Sequence, residues 1–126
     1  LDNIYPELFS PDPKDFLWLG EIRHVSSSKC VDTMRRTTQG QPLGVFPCHG
    51  DGGPQHFAGS KKNEIRVPGV GWEYCVDGNA GGLHNEVIIY KCHSQGSAQK
   101  WDYDKDTEQL KVLGLCLSYH QGERAT

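Results

Sequence analysis

No stretch of this sequence is apolar for long enough to cross a membrane. Runs such as Val87-Ile88-Ile89-Tyr90 fall far short of the ~20 residues that a spanning helix needs. Basic charge is not in excess: 13 Lys and Arg stand against 16 Asp and Glu, a formal net charge of −3. Sequence-independent nucleic-acid binding requires a basic surface, and this balance disfavours it. No segment sustains a helical period between start and stop signals, which argues against a helical architecture. The opening Leu1-Asp2-Asn3-Ile4 has no initiating Met and no basic start followed by an apolar stretch. No signal peptide is read there, and an upstream segment is expected to have been removed. No Asn-x-Ser/Thr sequon occurs, so no N-glycan is expected.

What is present fits one domain of 126 residues, globular and rich in loops, with 15 Gly and 7 Pro. Five cysteines are dense for this length: Cys30, Cys48, Cys75, Cys92 and Cys116. Either they bridge, which implies an oxidising compartment, or they bind metal. Structural zinc sites place two ligands two to four residues apart. No Cys-x₂-Cys occurs, so a zinc site built on Cys48-His49 and Cys92-His93 is disfavoured.

The sequence repeats itself at an offset of about 44 residues. Cys30-Val31-Asp32 returns as Cys75-Val76-Asp77, and Cys48-His49 as Cys92-His93. Gln55-His56-Phe57 returns as Gln99-Lys100-Trp101, and Glu21-Ile22-Arg23 as Glu64-Ile65-Arg66. A third copy opens at Leu110-Lys111-Val112, reaches Cys116-Leu117-Ser118 and stops about halfway. Within each unit, short alternating apolar runs are separated by Gly, Pro, Asn and Asp. They read as strands joined by turns, about four per unit. Two and a half such units are too few for a propeller, which needs four or more blades. They suit three four-stranded units around a pseudo-threefold axis, the third incomplete. The expected class is therefore all-β, in three repeats of which the third is incomplete. Repeat one spans 19–60, repeat two 61–104 and partial repeat three 105–126. Residues 1–18, with Tyr5-Pro6 and Ser10-Pro11-Asp12-Pro13, read as a linker from an absent upstream domain, its last apolar residues packing on the β-domain.

Each unit carries Cys-x-Asp, an apolar run ending in an aromatic, Cys-His and Gln-x-aromatic. This order resembles the ricin-type β-trefoil lectins, whose repeats are marked by Gln-x-Trp. Gly20-Glu21-Ile22-Arg23, Cys30-Val31-Asp32-Thr33 and Gly44-Val45-Phe46-Pro47-Cys48-His49-Gly50-Asp51-Gly52-Gly53 resemble, more narrowly, the lectin domain of polypeptide N-acetylgalactosaminyltransferases. Asn3-Ile4-Tyr5-Pro6-Glu7-Leu8 resembles the segment joining that family's catalytic and lectin domains. The resemblance implies a Golgi-lumenal or secretory-pathway enzyme that moves GalNAc from UDP-GalNAc to Ser/Thr hydroxyls with Mn²⁺. The sequence has no candidate Asp-x-His metal motif or nucleotide cradle, so Mn²⁺ and UDP-GalNAc are expected only in the absent catalytic domain. No cofactor is expected in this chain, which would be the binding appendage. Its expected partners are GalNAc-bearing glycopeptides or glycans and the linked catalytic domain, with no nucleic acid and no membrane contact.

Residue by residue, Cys30 with Cys48 and Cys75 with Cys92 occupy equivalent places, which argues for one bridge per unit. Each loop of that length contributes about 3 kcal/mol by the chain-entropy estimate. The partner of Cys116 would lie beyond Thr126. The resemblance makes Asp32 and Asp77 the sugar-orienting carboxylates. A turn or cap role is the alternative, and Asp77-Gly78 is also a turn signal. Phe46 and Tyr90 would stack on the apolar face of a pyranose, or else fill the core. His49 and His93 would line the pocket or bond the turn. Gln55 and Gln99, with Phe57 and Trp101, are expected to be structural: the amide satisfies backbone groups and the aromatic fills the core.

Departures from the family pattern weaken the sugar reading. An Asn commonly precedes the Gln, and here Pro54 and Ala98 stand in its place. One lost contact of that kind costs about 0.5–1.5 kcal/mol. Ser118 stands at the Asp position of unit three, which reads as non-binding. Two rivals follow. A glycosidase needs two carboxylates about 5–9.5 Å apart, and threefold geometry separates Asp32 from Asp77. A vestigial trefoil would serve as a structural or protein-interaction module without sugar. A trefoil lacking half a unit is also expected to be marginally stable, with an unpaired edge.

Overall fold

The computed structural model describes residues 16–24, 27–36, 38–79, 87–93, 97–113 and 115–117. Segment 1–15, most of the expected linker, and Ser118 lie outside the described residues.

Short runs bounded by turn residues become strands. In order these are β1 (Phe16–Gly20), β2 (Arg23–His24), β3 (Lys29–Asp32), β4 (Gly44–Pro47), β5 (Phe57–Ser60) and β6 (Ile65–Val67). They continue as β7 (Gly71–Asp77), β8 (Ile88–Lys91), β9 (Trp101–Asp104), β10 (Gln109–Val112) and β11 (Leu115–Cys116). The described helical structure is two single 3₁₀ turns, Gly53–Gln55 and Ser97–Gln99. The strands form sheets in the orders β1-β5-β6-β7-β8, β2-β3-β4 and β11-β10-β9, and every neighbouring pair is antiparallel.

The sequence repeat is a structural repeat. Cys30, Val31 and Asp32 face Phe46, Val45 and Gly44 across β3–β4. Cys75, Val76 and Asp77 face Tyr90, Ile89 and Ile88 across β7–β8. Side chains alternate along a strand, so this register sends Val31, Val45, Val76 and Ile89 inward and their neighbours to the other face. The inward set joins Leu43, Phe57, Ile65, Val67, Val87, Trp101 and Val112 in one core.

β1 begins inside the segment read as linker and bonds β5, with Trp18 opposite Gly59. A methyl group at Gly59 would collide with the Trp18 indole. β1 also borders a cleft of about 1260 Å³, with Leu17, Trp18, Ile22, Val31, Trp101 and Leu110 among its lining. This cleft, which Glu21, Arg23, Glu64 and Asp106 also line, lies between unit one and the β9–β11 sheet, where closure is incomplete among the described residues.

Candidate functional site

Each complete unit ties its strands together with one buried glutamine. The Gln55 side chain is fully buried and Gln99 is 1% exposed. Gln55 Nε2 donates to Asp32 Oδ2 at 3.0 Å and to the Pro47 carbonyl at 3.0 Å, while its Oε1 accepts the His49 amide at 3.2 Å. Gln99 Nε2 donates to Asp77 Oδ2 at 3.0 Å and to the Lys91 carbonyl at 2.8 Å, and its Oε1 accepts the His93 amide at 3.2 Å. A buried carboxamide has two donors and one acceptor oxygen to satisfy, and here all are used.

The aspartates complete the pattern. Asp32 Oδ1 accepts the Met34 amide and Asp77 Oδ1 the Asn79 amide, both at 2.7 Å. These are Asx turns, in which a short side chain bonds the backbone two residues on. Met34 and Asn79 both adopt the left-handed region, with φ of 56° and 54°. The turn role and the sugar role are therefore compatible. A carboxylate offers about four lone-pair directions, and two are occupied by protein. Asp32 and Asp77 are only 5% and 7% exposed, so any ligand meets a pre-oriented edge rather than a mobile side chain.

Pro54 and Ala98, the departures from the family pattern, share a backbone role. The Pro54 carbonyl accepts the Thr33 amide at 2.9 Å, and the Ala98 carbonyl accepts the Gly78 amide at 2.7 Å. Each bond closes the 3₁₀ turn onto the residue after the aspartate. Pro54 stands in the first turn of its 3₁₀ segment, where its missing N–H costs nothing. No side-chain pattern signalled this pair, because the bond uses only main-chain atoms.

Phe46 is 51% exposed and Tyr90 39% exposed, so neither fills the core. Each stands on the outer face, directly across from the first cysteine of its unit. Phe57 and Trp101 are buried in the core, and the Trp101 indole also donates to the Val76 carbonyl at 2.8 Å. His49 Nδ1 accepts the Asp51 amide at 3.1 Å and lies 3.8 Å from Asp51 Oδ2. A nitrogen that accepts an amide proton carries a lone pair. His93 is exposed.

The disulfides are Cys30–Cys48 and Cys75–Cys92, and Cys116 carries an exposed thiol. A carboxylate accompanies each bridge. Glu21 Oε2 lies 3.0 Å from Cys30 Sγ, and Glu64 clusters likewise with Cys75 and Cys92. A disulfide sulfur has no proton to donate, so the first of these is a sulfur–oxygen contact rather than a hydrogen bond. These two clusters are the metal-sized groups among the described residues. Their sulfurs are spent in disulfides, and one carboxylate is no match for the oxygen-rich set that Mn²⁺ prefers. They do not fit Mn²⁺. Asp32 and Asp77 sit in different sheets, each held by its own glutamine, and so do not form a glycosidase pair. None of Asp32, Phe46, His49, Asp77 and Tyr90 lines the cleft beside β1.

Residues 18–126 match the model of the ricin-type β-trefoil lectin domain. The chain belongs to the ricin-type β-trefoil lectin family. This lectin domain is 34% identical over 121 residues to human polypeptide N-acetylgalactosaminyltransferase 3, covering 94% of this chain and 19% of that protein. It is 40% identical over 122 residues to polypeptide N-acetylgalactosaminyltransferase 5 of Caenorhabditis elegans, covering 93% and 18%. The lectin domain thus spans about a fifth of the relatives it matches. A crystal structure of GalNAc-T7 with UDP, GalNAc and Mn²⁺ shares the fold, with a TM-score of 0.74 and 24% identity over 98% of this chain and 22% of that one. So does the β-trefoil lectin of Vibrio vulnificus hemolysin/cytolysin with N-acetyl-D-lactosamine bound, at a TM-score of 0.67 and 19% identity, covering 90% and 84%.

Proposed function

We propose that this lectin domain binds GalNAc- or galactose-type sugars and steers a covalently linked polypeptide GalNAc-transferase domain toward GalNAc-bearing glycopeptides. The observation that carries the reading is the duplicated outer face: a buried, pre-oriented aspartate beside an exposed aromatic and a disulfide. Aspartate oxygens accept from adjacent sugar hydroxyls, and the ring covers the apolar face of the pyranose. A single shallow site of this kind binds on the order of millimolar. Its value is effective concentration, because a tethered catalytic domain then meets the glycopeptide intramolecularly. Mn²⁺ and UDP-GalNAc belong to that catalytic domain. The setting is the Golgi lumen or secretory pathway, consistent with the two disulfides. The domain itself makes no nucleic-acid or membrane contact. Among the described residues no helix is long and apolar enough to cross a membrane.

A second reading, a trefoil retained as a spacer or protein-interaction module, is favoured by Pro54 and Ala98, which bring no polar side chain. Ligand-observed NMR of GalNAc with the folded chain separates the two. Saturable binding, competed by galactose and not by mannose, supports the lectin reading. A well-folded chain that shows no binding at 20-fold the expected millimolar constant supports the spacer.

A further inference from the structure

The two aspartate–aromatic faces share one internal network and differ at one edge. In unit two the outer edge of β8 is covered by a segment of unit one. The Gly40 amide donates to the Ile89 carbonyl at 2.7 Å, and the Ile89 amide donates to the Gln41 carbonyl at 2.9 Å. The Leu43 amide donates to the Val87 carbonyl at 2.8 Å, and Pro42 bridges Ile88 antiparallel. The Gln39 side chain ends this arm, its Oε1 accepting the Lys91 amide at 3.1 Å. In unit one, the outer edge of β4 has no such cover among the described residues. Among the described residues β4 pairs with β3 alone, and Val45, the counterpart of Ile89, exchanges no backbone bond with another unit. Correspondingly, Phe46 is more exposed than Tyr90.

Resting on the lectin reading, we infer that the working sugar site is that of unit two, shared between units, with Gln39 of unit one as a ligand-contacting residue at its rim. Its carboxamide oxygen is fixed on the Lys91 amide beside Tyr90. Among the described residues the NH₂ of that carboxamide has no protein partner. A fixed donor of this kind recognises an acceptor oxygen of the ligand, such as a ring hydroxyl or an acetamido carbonyl. It supplies the carboxamide that Ala98 does not. Tyr90 adds a hydroxyl where unit one has Phe46. Fixing a pocket wall to β8 also lowers the ordering cost of binding relative to an open edge.

The test is a ¹⁵N-¹H titration of the full chain with GalNAc, repeated with Gln39→Ala and Gln39→Glu. Saturable amide shifts are expected at Gly40, Gly78, Tyr90 and Lys91. Gln39→Ala is expected to weaken binding about three- to tenfold. Gln39→Glu keeps the bond to the Lys91 amide but loses the donor, so it is expected to weaken binding as much while leaving the Lys91 amide shift of the free protein near wild type. Shifts confined to Met34, Phe46 and His49 would keep the lectin reading and overturn the assignment to unit two. Unit-two shifts with unchanged affinity in both variants would overturn the role of Gln39. No shift at saturating sugar would end the lectin reading, and this inference with it.

Discussion

Replacing Gln99 by Ala should be among the most damaging single changes outside the disulfides. The side chain is buried and makes three hydrogen bonds, to Asp77 Oδ2, to the Lys91 carbonyl and from the His93 amide. The one to the carboxylate is charge-assisted and worth about 1.5–3 kcal/mol, the other two about 0.5–1.5 kcal/mol each. Truncation also leaves a cavity and strands three polar groups. Asp77 is nearly buried, while Lys91 and His93 are exposed enough for water to replace part of the loss. The expected cost is about 3–5 kcal/mol, a large share of the roughly 5–15 kcal/mol that holds a domain of this size. The midpoint of thermal unfolding, followed by circular dichroism, should fall by roughly 10–20 °C. Gln99→Glu sharpens the test. It keeps the shape but replaces the donor with a second carboxylate against Asp77, so the pair holds a proton more tightly folded than unfolded. A group with a raised folded pKa stabilises at low pH and loses that contribution as pH rises. The deficit of Gln99→Glu against wild type should therefore narrow between pH 7 and pH 4, while that of Gln99→Ala stays nearly constant. The same three kinds of bond recur around Gln55, so Gln55→Ala should cost the same within about 1 kcal/mol. A Gln99→Ala protein within about 0.5 kcal/mol of wild type would refute the view that this amide ties the unit together.

Three further outcomes are expected. Cys75→Ser with Cys92→Ser should lower unfolding free energy in urea by about 3 kcal/mol, the closure entropy of a loop of this length, and a loss below about 1 kcal/mol would mean that the reduced unit keeps its shape unaided. Trp101→Phe should cost about 1–3 kcal/mol in the same assay, because the buried Val76 carbonyl loses its donor even though Phe fills the equivalent place in unit one. Asp104 should titrate below the ordinary aspartate range in a carboxyl NMR experiment, because the Thr107 and Asp106 amides donate to it. Its depressed folded value stabilises at neutral pH and is lost as pH falls through that value, so Asp104→Asn should flatten the acid limb of the stability profile, and an unchanged limb would count against the turn geometry.

The sequence carried the fold because its signals were main-chain signals in repeated form. Cys-x-Asp marks a strand end with an Asx turn, and Gln-x-aromatic marks a 3₁₀ turn followed by a core strand. Both are local, and both recur with the spacing that the register requires. The bridges followed from the same equivalence. Three features were not legible. The exposure of Phe46 and Tyr90 depends on which way the pleat faces, and one apolar run fits either face. The shared role of Pro54 and Ala98 uses backbone carbonyls, which any residue supplies. The arm from Gln39 to Leu43 joins β8 across about 50 residues with little side-chain signature, and only tertiary placement reveals it.

The same division between internal bonds and outward face runs through the aspartates. In both units one oxygen holds an Asx turn and the other holds the glutamine that links strand, turn and disulfide. The fold alone is reason enough to keep Asp32 and Asp77, so it is the exposed aromatic beside each that marks the face as one for sugar. Asp→Asn variants would disturb turn and ligand together. What can vary without cost to the fold is the exposed layer: the aromatic ring, and the wall supplied by the neighbouring unit. Among the described residues Phe46 stands at an edge without cover, and Tyr90 stands beside a fixed carboxamide. A trefoil can therefore lose sugar binding in one unit while keeping every internal bond of that unit. Competence has to be judged from the residues that face outward.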